Sequence, residues 1–230
     1  PEVSAAMAAA ARHAVDMAEL QAAASRNIAR ITGAEAGLVT CGAAAALTLA
    51  AAASMTRWDI ARMAALPHAE TFPHEILIPR THRTGYAHAL SAAGARLVDI
   101  GHNDRGTGAG VRGLEAWEIE AAITPRAAAF AFSASPENID ELAPAVAECK
   151  AHGLPVIVDA AAQLPPKRNL RRFIELGADL VAFSGGKAIG GPQASGILAG
   201  RRELIGAALV QQLDMDVSPG TWSPPGLIDR

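Results

Sequence analysis

Apolar positions along this chain switch between two periods, and the switches mark out its elements. Five short runs, Glu75 to Ile78, Arg96 to Ile100, Ala127 to Phe132, Pro155 to Asp159 and Leu180 to Phe183, are too brief for buried helices. Bounded by Gly, Pro or polar clusters, they predict strands, and Leu180 to Phe183 a buried one. Helical spacing fills the intervals. Val3 to Thr32 reads as a helix with Leu20, Ala24, Ile28 and Ile31 on one face and Gly33 as its stop. Further helices are predicted over Ala43 to Met55, Tyr86 to Ala93, Leu114 to Ile123, Ile139 to His152 and Arg201 to Gln212, with Leu170 to Leu176 leading into the last of the five strands. Leu38 to Gly42 reads as a short turn, His102 to Gly113 as a glycine-rich loop, and Ser195 to Ala199 as a final regular segment. Strand and helix in alternation predict an α/β fold of three layers, a mostly parallel sheet wound with helices. The expected organisation is a helical segment over 1–33, a large domain over 34–213, and a linker or arm over 214–230, where Ser218 to Pro225 is rich in Pro and Gly.

Composition narrows this picture in three ways. A net charge of −3 over 230 residues argues against a nucleic-acid surface covering most of the molecule. Lys167, Arg168, Arg171 and Arg172 form the one basic cluster and read as a solvated loop and helix start. Two cysteines, Cys41 and Cys149, give no disulfide framework and fit a reducing compartment. The apolar half of the sequence owes much to alanine, and no strongly apolar run reaches the roughly 20 residues of a membrane span. The Ala-rich start carries Glu2, Arg12 and Asp16, unlike a signal peptide. The expectation is a cytoplasmic protein without a membrane partner.

Candidate chemistry sits just after two of the apolar runs. Lys187 lies in Ser184-Gly185-Gly186-Lys187-Ala188-Ile189-Gly190-Gly191-Pro192-Gln193-Ala194-Ser195-Gly196, a lone amine among small residues at a strand end. Such a lysine suits covalent work on a carbonyl. Asp159 ends the preceding strand, and in an open parallel sheet both ends face one crevice. Gly42 and Ala43 open a helix, where free N–H groups and the dipole favour an anion. His82 follows another strand end beside Arg80 and Arg83, which suit a carboxylate or phosphate but equally solvent. Other patterns fail on context. Gly108-Ala109-Gly110-Val111-Arg112-Gly113 matches a dinucleotide fingerprint but does not follow its strand closely. Ser184-Gly185-Gly186-Lys187 fits S-x-x-K without the companion motifs of penicillin-recognising enzymes. The histidines show no zinc-ligand spacing, so no metal is expected.

At Val158-Asp159-Ala160-Ala161-Ala162-Gln163-Leu164-Pro165-Pro166 and Ser184 through Gly196 the sequence resembles the fold-type-I pyridoxal 5'-phosphate (PLP) enzymes. Within them it resembles the branch of bacterial selenocysteine synthase, an L-seryl-tRNA selenium transferase, and D-glucosaminate-6-phosphate ammonia-lyase. The general likeness runs from about Val15 to Leu213. It implies Lys187 as the Schiff-base lysine and base at Cα, Asp159 as partner of the ring nitrogen, and Ala161 lying against the ring. Gly42 and Ala43 become one wall of the phosphate site, with the Ser184 hydroxyl opposite. His82 is the choice for stacking on the pyridine face, a hydrogen-bonded structural histidine being the alternative. Gln193 and the Gly190-Gly191-Pro192 turn would face a neighbouring subunit's cofactor in a homodimer or larger homo-oligomer. Selenocysteine synthases usually carry an acidic residue just before the lysine; Gly186 here favours the lyase side. The expected activity is a lyase acting on a small amino acid or amino sugar acid by α-proton abstraction and β-elimination, releasing ammonia and a 2-oxo acid. Alternatives are the selenium transferase, an aldolase or racemase, and a non-catalytic homologue. Relatives normally continue into a small C-terminal domain and begin with a longer N-terminal arm, both expected to be missing from this chain.

Overall fold

The computed structural model describes residues 2–102 and 113–212. The elements in chain order are α1 (Glu2–Ala10), α2 (Met17–Thr32), β1 (Ala36–Thr40), α3 (Ala43–Thr56), α4 (Ile60–Ala65), β2 (Glu75–Pro79), α5 (His88–Ala92), β3 (Arg96–Ile100), α6 (Ala116–Ala122), β4 (Ala127–Ser133), α7 (Leu142–Ala151), β5 (Val156–Asp159), α8 (Asn169–Glu175), β6 (Leu180–Ser184), β7 (Gly196–Gly200) and α9 (Arg202–Leu209). Tight 3-10 turns at Arg80–His82, Gly85–Ala87 and Ile139–Glu141 join some of them.

The strands form one sheet in the order β1-β7-β6-β5-β4-β2-β3. The β3-β2-β4-β5-β6 block is parallel, while β7 runs antiparallel to both β6 and β1. This is the three-layer, mostly parallel α/β architecture that the alternation predicts. Strands β2 to β7 split their side chains between two cores. Ile76, Ile78, Ala129, Ala131, Ile157 and Ala182 meet α3, α4, α5 and α9 on one face. Leu77, Phe130, Phe132, Val158, Val181 and Phe183 meet α6, α7 and α8 on the other. Small residues on the first face let the alanine-rich α3, whose Ala50, Ala51 and Ala53 are fully covered, lie flat on the sheet.

Several sequence expectations are corrected. Val3 to Thr32 is two helices, because Asp16 turns extended and accepts hydrogen bonds from the Ala18 and Glu19 N–H groups at 2.8 and 3.0 Å, restarting the helix as its N-cap. The face of α2 that packs is Gln21, Ala22, Ser25, Ile28 and Thr32; Leu20 and Ile31 are exposed. Gly37 has no side chain to hold off Ile28, so α2 seats directly on β1. Leu38 to Gly42 is not merely a turn, since Ala36–Thr40 is a strand paired with β7 from Ala36 against Gly200 to Thr40 against Gly196. Helix α4 goes unpredicted; Asp59 caps it through the Arg62 N–H at 3.1 Å. The glycine-rich loop, apart from His102 and Gly113, and the arm over 214–230 lie outside the described residues.

Candidate active site

Parallel strands end on a common edge, and four of those ends meet here. Ser133 of β4 pairs in register with Asp159 of β5, while Ser184 of β6 pairs with Gly196 of β7, which in turn pairs with Thr40 of β1. Their C-terminal edge opens into a cleft of about 290 Å³. Strand order reverses between β2 and β4, with β3 laid outside, so the cleft adjoins a topological switch point, where open α/β sheets bind ligands.

The lysine loop is folded back on itself. The Gly185 N–H donates to the Ser195 carbonyl at 2.8 Å, the Gly191 N–H to the Gly185 carbonyl at 2.8 Å, and the Gly190 N–H to the Lys187 carbonyl at 2.9 Å. A β-carbon on Gly186 would stand 2.7 Å from Gln193 Cα and 2.8 Å from its carbonyl oxygen. Gly196 packs against the Gly42 carbonyl so tightly that no side chain fits there either. Glycine at these positions thus sets the loop against the start of α3, and Lys187 stands exposed between them, on the cleft wall.

All the sequence-predicted site residues except His82 line this one cleft: Lys187, Asp159, Ala161, Ser184, Gln193, Gly42 and Ala43. Burial raises the Asp159 carboxyl above its ordinary range, against the opposing pull of the Ala161 N–H at 3.0 Å and of the Lys187 charge. Gly42 begins α3 at φ 107° with no side-chain cap, so the first-turn N–H groups are left for a ligand. Nothing lies within 4 Å of the place a Gly42 β-carbon would occupy, an open cradle at the positive end of a helix dipole. Helix N–H groups and a hydroxyl for a phosphate, a carboxylate for a cationic ring nitrogen and an amine for an aldehyde together match PLP.

His82 is placed differently. It is 4 % exposed, meets Phe132 edge-on at 4.5 Å and 85°, and lines a small recess among whose other walls Thr84, Tyr86, Ser133 and Asp159 also line the cleft. Arg83 is paired with Asp99 at 3.3 Å, and neither it nor Arg80 lines the cleft. Sequence reading missed Thr84, Tyr86, Ser133 and Ala134, which complete the wall. Ser133 was findable, as the last residue of an apolar run whose neighbour ends in Asp159. Gln163, quoted only as part of a motif, braces the site by donating to the Ala134 carbonyl at 2.7 Å.

A larger depression of about 480 Å³ lies at the opposite strand ends, beside Gly33, Lys150, Gly177 and Arg201. Its buried carboxylate, Asp179, is already bonded to the Val156 N–H at 2.8 Å and to Arg201 at 3.3 Å. Among the described residues no group of three or more His, Cys, Asp or Glu side chains is arranged to hold a metal, and no helix is long and apolar enough to cross a membrane.

A lysine, a carboxylate and a bare helix N-terminus at the C-terminal edge of such a sheet are the marks of the fold-type-I PLP-dependent class. Comparison with known proteins narrows this further. Residues 137–216 match the family model for L-seryl-tRNA selenium transferase. The chain is 33 % identical over 222 residues to D-glucosaminate-6-phosphate ammonia lyase of Salmonella typhimurium (strain 14028s / SGSC 2262), covering 92 % of this chain and 56 % of that protein. It is 35 % identical over 219 residues to 5'-C-glycyluridine monooxygenase-decarboxylase of a Streptomyces species, covering 90 % of this chain and 51 % of that one. A solved D-glucosaminate-6-phosphate ammonia-lyase superposes with a TM-score of 0.81 at 30 % identity, over 100 % of this chain and 61 % of the other. The chain belongs to the fold-type-I PLP enzyme family, in the branch of selenocysteine synthase and D-glucosaminate-6-phosphate ammonia-lyase. It spans about half the length of the curated relatives it matches.

Proposed function

We propose that the whole protein is a cytoplasmic, PLP-dependent lyase that releases ammonia and a 2-oxo acid from a small amino acid or amino sugar acid. The observation that carries this is the likeness to D-glucosaminate-6-phosphate ammonia lyase along 92 % of the chain, including the loop that brings Lys187 opposite Asp159. Bound PLP supplies the electron sink that acidifies the Cα proton of an amino substrate. The start of α3 at Gly42 and Ala43 and the Ser184 hydroxyl would hold its phosphate. Asp159 would pair with the ring nitrogen and keep it protonated, since an opposite charge favours the cationic form. Ala161 is small enough to leave room for the ring. Lys187 would hold the cofactor's aldehyde group through its amine. Its Nζ is the base that would accept the substrate's Cα proton and give it up as the β-hydroxyl leaves as water. Hydrolysis returns one water, so a 2-amino-3-hydroxy acid ends as a 2-oxo acid and ammonia.

Gly186 supports the lyase over the selenium transferase, because the close approach of Gln193 leaves no space for an acidic side chain before the lysine. The transferase reading draws on the family-model match over 137–216. A selenium transferase relative from Edwardsiella ictaluri, 48 % identical over 63 residues, covers only 24 % of this chain. A homo-oligomer fits an open groove between Val3 and Met7 of α1 and Gly190 to Pro192 of the lysine loop, with the exposed apolar Ile189 close by.

The deciding experiment incubates the full-length protein with β-hydroxy amino acids and phosphorylated 2-amino sugar acids. Ammonia and 2-oxo acid in equal amounts are expected. Racemised substrate, aldehyde plus glycine, carbon dioxide, or selective turnover of seryl-tRNA would overturn the lyase assignment.

A further inference from the structure

Asn138 closes the turn after β4, and two backbone contacts decide which way its amide faces. Oδ1 accepts from the Ser135 N–H at 2.8 Å, and Nδ2 donates to the Ser133 carbonyl at 2.9 Å. The flipped amide would set oxygen against oxygen and N–H against N–H, so the orientation follows from chemistry. The second Nδ2 hydrogen then meets His82 Nε2, 3.0 Å away. A nitrogen facing a donor must accept, and the neutral ring must carry its proton on Nδ1. Burial favours that neutral ring, pushing His82 down to about 4. Glu141, 3.9 Å from Nε2, lies beyond hydrogen-bond reach.

The Nδ1–H that results is buried and has no hydrogen-bond partner. Leaving a buried donor unmet costs about 1–3 kcal/mol, so a partner is to be sought. His82 and Asp159 line the same recess of about 20 Å³, room for roughly one water. Asp159 Oδ1 is taken by the Ala161 N–H, while Oδ2 accepts no hydrogen bond among the described residues.

We propose that Asn138 and His82 are positioning residues for Asp159: Asn138 holds His82 as the Nδ1–H tautomer, and that N–H is the donor for the second Asp159 oxygen through one water in their shared recess. The purpose of this relay rests on the cofactor reading, whereas its geometry does not. A donor on that oxygen favours the ionised carboxylate and so opposes the effect of burial, with Lys187 helping from across the cleft. An aspartate held ionised and turned in one direction is what a ring-nitrogen partner requires. His82 thus serves the site through its polar edge.

The test begins with the cofactor-free full-length protein carrying 15N-labelled histidine. Near neutral pH, His82 should show a protonated Nδ1 and a bare Nε2; Asn138→Leu should replace this by a mixture of tautomers. An Nε2–H ring or an imidazolium in the unaltered protein overturns the proposal. The second measurement follows the Asp159 carboxyl by 13C NMR. His82→Phe, which keeps an aromatic ring against Phe132, should raise its titration midpoint by about one pH unit, a tenfold change in proton affinity. An unmoved midpoint overturns the relay. If His82→Phe does not fold, Asn138→Leu is titrated instead, with a smaller rise expected and no rise counting against the relay. Both readouts precede cofactor addition. Failure of borohydride to fix a pyridoxyl group on Lys187 would remove the cofactor reading while leaving the tautomer result standing.

Discussion

The two edges of the sheet treat buried carboxylates in opposite ways. At the N-terminal edge, Glu75 is 1 % exposed yet receives Arg96 at 2.6 Å, Arg126 at 2.7 Å and the Thr124 hydroxyl at 2.8 Å. Burial alone would raise its carboxyl, but hydrogen bonds from Arg96 and Thr124 and the charges of both arginines win, and it titrates below the ordinary range. At the C-terminal edge, burial prevails over what Asp159 receives, and its carboxyl is raised. One edge has spent its polar groups on itself, joining β2 to the starts of β3 and β4. The other keeps a carboxylate, an amine and helix N–H groups for something else. A fully satisfied carboxylate holds structure, while an under-satisfied one at a strand end is available to a ligand.

The comparison breaks most visibly at Lys187. Lys187→Ala should lower turnover by about 10³-fold or more, the scale of a lost general base, and leave the thermal midpoint of the cofactor-free protein in place. Asp159→Ala should retain some PLP binding through the α3 phosphate site while turnover falls by at least about 10²-fold. Equal losses of stability and turnover in either variant would erase the distinction between the edges.

Glu75→Ala should behave in the opposite sense. A loss of about 3 kcal/mol in urea unfolding is expected, near the low end for breaking a buried ion pair. The low end applies because both guanidinium groups, 58 % and 61 % exposed, remain in water. Any folded fraction should still take up PLP.

Acid sharpens the contrast. His82 is depressed from 6.5 to about 4 in the folded chain, so the unfolded chain binds its proton first as pH falls. Stability should decline by about 3 kcal/mol between pH 6.5 and 4 from this residue, and His82→Phe should flatten that part of the curve. Glu75 acts lower still: its depressed carboxyl contributes stability above its unfolded pKa, and the contribution is lost as pH falls through the folded value. Asp159 has the reverse sign, its raised carboxyl withdrawing stability as pH rises from the unfolded toward the folded value. Asp159→Asn should therefore make the cofactor-free protein slightly more stable near neutrality, measured by urea unfolding at fixed pH.

The smallest expected effect is on thiol chemistry. Cys149, on the buried face of α7 with its thiol pushed up to about 12, should resist alkylation, while the exposed Cys41 beside Gly42 should react. PLP at the start of α3 should slow labelling of Cys41 alone. Equal protection of both cysteines would point to a general tightening of the fold.

Lys187, Asp159 and the start of α3 were legible because each follows from a local rule: apolar runs end in strand ends, glycines mark close approach, and a helix start offers N–H groups. The neighbours that complete the cleft were not, since Thr84, Tyr86 and Ser133 carry no motif of their own. Leu38 to Gly42 reads as a turn because a five-residue run of small and mixed residues has no decisive period. The strand character of β1 comes from pairing with β7, more than 150 residues away in the chain.

The amino-acid sequence by itself determined the period of each main element, the class of the fold, and the identity of the lysine and carboxylate at neighbouring strand ends. Those depend on side-chain alternation and backbone preference, which act within a few residues. Tertiary structure alone decided which face of α2 packs, which carboxylates are satisfied, and that His82 is buried edge-on against Phe132. Burial and hydrogen-bond partnership depend on what the rest of the chain brings alongside a residue. No local pattern encodes that Asn138 would arrive 3.0 Å from a histidine 56 positions earlier and choose its tautomer.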